Sequence, residues 1–422
     1  MIELKNGQRV PLEIGGYCTV KKELGRGGQG IVYLVNLNGK DMALKWYMSI
    51  PSESFYKNMQ KLKDRKPRLD AFIWPLYLTK RRDGQFGYVM DLRPDGYFEF
   101  GQYMLAHQQF SNFYAMINAA IKICEGFRYL HLDGFSYQDL NDGNFFIRPS
   151  DGDILICDND NVSPYGTLSG IKGKMRYMAP EIVKGGSPDK YSDRFSLSVV
   201  LFILFYLNHP FEGLKVAERP VITEELEQKL YGDEIEFLFS PQGNNRPKKG
   251  VHTNVLKRWK PFPTKLSNFF MEEFSDRKLK NPTERTIETD WQKLLIALRD
   301  ETVVCPHCGN VTFLDIENQK DKCLFCEKQI DTSHKIKIDN RSIILTPKSR
   351  VYLGEDTSPD AVVAISPKDK SVLTLTNVSN DQWSVETPSG KVRPLGTNET
   401  MPVLNGMKIT CRQGKGEIII TK

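Results

Sequence analysis

Apolar and polar positions change period several times along the chain, and each change predicts an element. Residues 17 to 48 alternate as strands, interrupted by the Gly-rich break from Leu24 to Val32 and ending in Met42-Ala43-Leu44-Lys45. Ser52 to Lys66 opens on a capping Ser and contains no Pro, which predicts a helix. Residues 72 to 100 predict further strands. Phe113, Met116, Ile117, Ala120, Ile121, Cys124, Phe127 and Leu130 fall at helical spacing and predict a core helix from Phe113 to Leu132. Phe145-Phe146-Ile147 and Ile154-Leu155-Ile156 flank an Asp151-Gly152 turn and predict a hairpin. A Gly/Ser-rich segment runs to Pro180, an apolar helix follows at 195 to 207, and a mostly helical stretch continues to Leu298. The Gly/Pro-rich basic run from Ser240 to Lys260 reads as a solvated loop. From Lys335 the pattern becomes short strands: Ser342–Thr346, Arg350–Leu353, Ala361–Ser366, Ser371–Thr376, Trp383–Glu386, Met407–Cys411 and Glu417–Thr421. That series predicts an all-β sandwich.

Length and charge narrow the class. A chain of 422 residues has room for more than one domain. A net charge of +6 with no overwhelmingly basic block gives no reason to expect nucleic acid as a partner. The apolar run Leu197–Leu207 is too short for a bilayer, which takes about 20 residues, so no membrane association is expected. The start MIELKNGQRV is polar and does not read as a signal peptide. Four of the eight cysteines form two C-x-x-C pairs, which points to metal in a reducing compartment and to a cytoplasmic location.

Chemistry concentrates between Tyr137 and Asp160. Asn144 follows Asp139 by five residues, and Asp158 lies fourteen further on. The hairpin between Asn144 and Asp158 brings them together beside Asp139. Two carboxylates and an amide oxygen make a hard oxygen site suited to magnesium and phosphate. Taken alone, the stretch reads equally as a polar surface hairpin, because Asp and Asn are common turn residues. Gly25-x-Gly27-x-x-Gly30-x-Val32 is weak evidence alone, since dinucleotide folds use similar glycines to open a helix. Here a strand follows, which predicts a hairpin lid closing over phosphates. Lys45, fifteen residues after Gly30, sits in an apolar frame where anionic phosphates would compensate it.

Over about residues 10 to 300 these pieces resemble the eukaryotic-type protein kinase family. Gly25, Gly27, Gly30 and Val32 match its Gly-rich loop, and Ala43 and Lys45 its Lys-bearing strand. Asp139 and Asn144 match the catalytic loop, Asp158 the DFG aspartate, and Ala179-Pro180-Glu181 the APE motif. Asp193 matches an Asp that braces the catalytic loop, and Arg285 an Arg that pairs with the APE Glu. The resemblance implies that Asp139 orients the acceptor hydroxyl and takes its proton. It implies that Asn144 and Asp158 hold magnesium or manganese, and that Lys45 holds the α- and β-phosphates of ATP. By position Met90 is the gatekeeper, and Asp91 to Arg93 form the hinge that reads adenine.

The departures are concentrated in the same stretch. HRD reads Tyr137-Gln138-Asp139, so the Arg that grips a phosphorylated activation loop is absent. The Lys two residues after the catalytic Asp is Asn141. Lys174 replaces the Thr of the GT-x-x-Y segment and is expected to supply the displaced cation. DFG reads Asp158-Asn159-Asp160, with Asp160 an added metal ligand or a turn cap. The helix partner of Lys45 is expected to be Asn58, with Glu53 nearer the helix start. The YQDLNDGN and CDNDN segments resemble a divergent bacterial subgroup. Relatives of that subgroup occur with a metal-dependent Ser/Thr phosphatase and with von Willebrand factor A-type proteins.

Cys305-Pro306-His307-Cys308-Gly309 and Cys323-Leu324-Phe325-Cys326, fourteen residues apart, predict a zinc ribbon with a closed Cys305, Cys308, Cys323, Cys326 site; His307 is not a ligand. Residues 335 to 422 resemble a forkhead-associated (FHA) sandwich. Glu355 stands where that family has Arg, which opposes phosphothreonine reading and favours partner- or self-docking. The expected architecture is therefore multidomain: an α+β bilobal kinase-like domain over 1–300 (lobes at about 10–93 and 94–300), a zinc ribbon over 301–334 and an FHA-like β-sandwich over 335–422. The expected function is ATP-dependent Ser/Thr phosphorylation of a protein substrate in bacterial signalling or stress, with autophosphorylation. The alternative is a pseudokinase scaffold that recruits partners through its C-terminal modules.

Overall fold

In the computed structural model the described residues are 3–165 and 173–421. Residues 166–172 of the Gly/Ser-rich segment lie outside them. The N-terminal lobe is one antiparallel sheet. Its order is Arg9–Pro11, Tyr17–Arg26, Gly30–Leu37, Lys40–Tyr47, Gly87–Asp91 and Tyr77–Leu78. The Gly-rich break is a tight turn closed by Gly27 N–H donating to Gly30 O at 2.9 Å. Gly30 cannot carry a side chain, because a Cβ there would lie 2.6 Å from the carbonyl oxygen of Trp46 on the next strand. The expected helix forms over Glu53–Leu62, capped by the Ser52 hydroxyl, and buries Phe55, Met59 and Leu62.

Long helices build the second lobe. Lys190–Tyr206 starts at an Asp189–Ser192 capping box and is buried from Phe195 onward, as its unbroken apolar sequence requires. Among the described residues no helix is long and apolar enough to cross a membrane. Phe113–Leu132 is buried on more than the face its periodicity marks, since Tyr114, Ala115, Asn118 and Ala119 are covered as well. The extra cover comes from the Glu288–Asp300 helix and from the C-terminal sandwich packed beyond it.

After Asp300 a small sheet pairs Thr302–Val304 with Val311–Phe313 and carries the four cysteines. The sandwich that follows has a six-stranded and a four-stranded sheet. Their inner faces enclose Ile336, Trp383, Val385, Leu395, Met401 and Ile409. Three of its strands are additional to the sequence-based set: His334–Ile338, Val392–Leu395 and Thr400–Pro402. The last two contain Pro394 and Pro402 and lie at sheet edges, the place in a sheet where a missing N–H is tolerated. The first hides its alternation behind lysines, with Ile336 and Ile338 inward and Lys337 outward.

Candidate active site

The cleft between the lobes collects side chains from four elements. Lys45, on the Lys40–Tyr47 strand, is 5% exposed. Its ammonium lies 3.1 Å from Asp158 Oδ1, 3.0 and 2.9 Å from the two Asp160 oxygens, and 3.3 Å from Gln29 Oε1 of the Gly-rich turn. Burial alone would lower the Lys45 pKa, but Asp160 and Asp158 more than reverse that and hold it above its ordinary value.

The Phe145–Ile147 and Ile154–Ile156 strands pair in register, so Asn144 and Cys157 meet at the hairpin's open end. Gln138 (φ +64°), beside Asp139, and Asp158 itself (φ +53°) take the left-handed conformation. Such backbone costs of order 1 kcal/mol and persists where surrounding bonds impose it. Those bonds are present. Asp193 accepts from the Tyr137 N–H at 2.7 Å, and its other oxygen takes the Gln138 N–H at 3.4 Å. Asp193 is itself fixed by His131, which also meets Glu288 at 2.9 Å. Burial would raise the Glu288 pKa, yet His131 and Arg194 pull it down to about 2.

Asp139 Oδ1 accepts from the Lys174 N–H at 3.1 Å and from Asn141 Nδ2 at 3.0 Å. Burial raises the Asp139 pKa above the usual carboxylate range, against the lowering effect of those two donors. Asn144 Nδ2 donates to Asp139 O at 2.8 Å and to the Tyr137 hydroxyl at 3.1 Å. That leaves its carbonyl oxygen as the group able to serve a metal. Asn141 is 1% exposed, with its Oδ1 accepting from the Gly143 N–H, and is a pin of the loop. The Lys174 ammonium is half exposed and lies 3.4 Å from Asp142 Oδ1. Below the cleft, Arg285 grips Glu181 with two bonds of 2.6 and 2.7 Å.

The helix partner of Lys45 needs correction. Asn58 is a donor here, giving its amide to Val162 O at 3.0 Å, and Glu53 pairs with Arg81 at 2.7 Å. Neither meets Lys45 among the described residues. Asp160 does, and its carboxylate is fully buried against Lys45. The signal for it was present: an acid in a position that the resemblance reserves for Gly.

The sequence matches the family profile described as the protein kinase domain over residues 18–242. The chain belongs to the protein kinase domain family. It is 26% identical over 262 residues to the probable serine/threonine-protein kinase gdt4 of Dictyostelium discoideum, covering 57% of this chain and 16% of that one. It is 29% identical over 211 residues to the delta type of protein kinase C from Mus musculus, covering 46% of this chain and 30% of that one. The chain thus spans well under half the length of these curated relatives. Among solved structures, the Mycobacterium tuberculosis PknI kinase domain aligns with a TM-score of 0.47 at 19% identity, covering 70% of this chain and 99% of that one.

Within this kinase domain, Met90 and Asp91 end the Gly87–Asp91 strand, Met90 buried and Asp91 paired with Lys40 at 2.9 Å. Arg93 follows and stacks on Phe146, 4.1 Å from its ring centre. Gly25 and Val32 pair across the Gly-rich hairpin, and Ala43 lies opposite Met90. Beyond the kinase domain, the sulfur atoms of Cys305, Cys308, Cys323 and Cys326 all lie within 4.8 Å of one another. Two of the separations are 3.7 Å. Four thiolates about 2.3 Å from one zinc ion would be spaced by about that much, so the donor set fits zinc. His307 turns away and meets Gln329 O at 3.1 Å.

Proposed function

We propose that the chain is an active Ser/Thr protein kinase, with ATP as donor and a protein hydroxyl as acceptor. The observation that carries this reading is the convergence of Lys45, from a strand of the first lobe, with Asp139, Asn144 and Asp158, from the loop and hairpin of the second, on one cleft. Phosphoryl transfer needs positioning and charge neutralisation more than covalent chemistry, and this set supplies both. Lys45 neutralises the nucleotide phosphates. Asp139 accepts the proton of the Ser or Thr hydroxyl while that hydroxyl's oxygen bonds to the γ-phosphorus, and the bond to the departing ADP oxygen breaks. Asn144 and Asp158 are the residues that would hold magnesium or manganese, which when bound neutralises phosphate charge.

The four cysteines are proposed to hold one structural zinc ion, with every position taken by sulfur and none left for substrate. Elemental analysis should find one zinc per chain; a folded chain purified without it overturns this. The sandwich is proposed to be FHA-like in descent and to serve as a dock for its own kinase domain.

The second reading, an ATP-binding scaffold without transfer, is favoured by Asn141, where a buried amide stands in place of a cation. Incubating the chain with magnesium, labelled ATP and a generic basic protein separates the two. Wild type is expected to transfer label, and Asp139→Asn to lose about 10³-fold in rate. Because burial raises the Asp139 pKa, the rate should fall as pH drops through a value above the ordinary carboxylate range. Equal incorporation by both chains, or none by either, removes the kinase reading.

A further inference from the structure

We propose that Asp160 is the positioning residue of this site: its buried carboxylate, and not an acid on the Glu53–Leu62 helix, fixes Lys45 for the nucleotide phosphates. The inference rests on the phosphoryl-transfer reading above. It starts from an asymmetry between the two acids that meet Lys45. The Asp158 side chain is 45% exposed and the Asp160 side chain 0%. An exposed acid can exchange a cation for another partner at little cost. A fully buried acid cannot be left unpaired without a large desolvation penalty. When ligands enter the cleft, Asp158 is therefore free to turn to them, and Asp160 keeps Lys45.

Three donors are arranged on this one carboxylate. Tyr47 lies two residues beyond Lys45, on the same face of its strand. Its hydroxyl donates to Asp160 Oδ2 at 2.7 Å. Tyr88 sits directly opposite Lys45 on the Gly87–Asp91 strand and donates to Asp160 Oδ1 at 3.2 Å. Burial raises both phenols far above their ordinary range, with Asp160 adding to the shift, so both remain donors. Lys45, Tyr47 and Tyr88 thus project from two neighbouring strands onto an acid delivered by the second lobe.

The helix offers no rival. Its inward residues are Phe55, Asn58, Met59 and Leu62, and its one acid, Glu53, is engaged by Arg81. Asn58 ties the helix to Val162 instead. The placement of Lys45 therefore depends on the segment after Asp158, and a swing of the helix does not carry it away.

The test uses the full chain. Asp160→Asn should raise KM for ATP and lower kcat, with a combined loss in kcat/KM of about 100-fold, the scale of a misplaced catalytic group. Glu53→Gln should leave both within about twofold. Unchanged constants in Asp160→Asn, or an equal loss in Glu53→Gln, overturn the proposal. If Asp160→Asn does not fold by circular dichroism, the Tyr47→Phe/Tyr88→Phe pair keeps the charge and removes two donors. It should raise KM for ATP at least about tenfold, since two hydrogen bonds to a charged group are lost, and an unchanged KM overturns the proposal. Magnesium-ATP affinity is measured alongside by calorimetry. A wild type that binds but does not transfer counts against the kinase reading, while the affinity of Asp160→Asn relative to wild type still decides the role of Asp160.

Discussion

Two of the places where a buried cation meets oxygen atoms differ in kind. One is the joint between the second lobe and the sandwich. There Arg299, 2% exposed, donates to Gly354 O and Asp356 O at 2.8 Å and to Asn118 Oδ1 at 3.2 Å, and its plane lies over Tyr352. Beside it Arg341 holds both oxygens of Asp300 at 2.8 Å and also takes the carbonyls of Tyr352 and Leu353. The other region is the cleft, where Lys45 meets one closed acid and one half-open acid. Both regions set cations against oxygen acceptors, and the outcome differs. At the joint both guanidinium groups are engaged by carbonyls, an amide oxygen or the buried Asp300 carboxylate, so the network is largely closed to a ligand. In the cleft, Asp158 and the Lys174 ammonium remain accessible. A buried polar network with no open member works as structure; one with an open member works as a site.

The strongest way to break this comparison is Arg299→Met. The methionine fills much of the volume but leaves the buried Asn118 Oδ1 and two partly buried carbonyls without this donor. A loss of about 3 kcal/mol in urea denaturation is expected. Limited proteolysis should then cut within 301–334, as the sandwich comes away from the helices Phe113–Leu132 and Glu288–Asp300. Phosphoryl transfer should change by less than about twofold, because no group in the cleft is touched. A stability change under about 0.5 kcal/mol would show the joint to be incidental.

The two regions also differ in how far the sequence reveals them. Lys45, Asp139, Asn144 and Asp158 are legible because few residue types can do what their positions ask, and a local hairpin brings two of them together. The apolar helix and the Glu181–Arg285 pair are legible for the same reason. The joint is not, because two of its contacts reach residues 57 and 55 positions away through backbone carbonyls, which any residue supplies, and a third reaches a side-chain amide 181 positions away. Tyr114 and Asn118 give the same lesson: they sit outside the helix's apolar stripe, and the distant Glu288–Asp300 helix and the docked sandwich together explain their burial. The partner of Lys45 escaped for a subtler reason. Asp160 stands two residues from Asp158, and sequence spacing does not show that the left-handed turn at Asp158 sends one acid to the open cleft and the other into the core.

A smaller effect sharpens the comparison from the side of the cleft. Asn141, bonded at both ends of its amide, cannot provide the positive charge that the kinase resemblance expects two residues after Asp139. Lys174 reaches the same loop from the opposite side. Its N–H holds Asp139, while its ammonium is 3.4 Å from Asp142 and its side chain is 54% exposed. A pair that long and that exposed is worth well under about 1 kcal/mol, so the ammonium can leave Asp142 for a transferring phosphoryl group. Lys174→Met keeps the N–H and the length of the stem and removes only the charge. At saturating ATP, kcat should fall about tenfold, equivalent to about 1.4 kcal/mol of transition-state stabilisation. KM for ATP should stay within about twofold and stability within about 0.5 kcal/mol. The stability result is the sharper half, since removing the Arg299 charge from the joint is expected to do the opposite, lowering stability and sparing turnover. An unchanged kcat in Lys174→Met removes Lys174 from the chemistry and leaves Asp139 to act without a neighbouring cation.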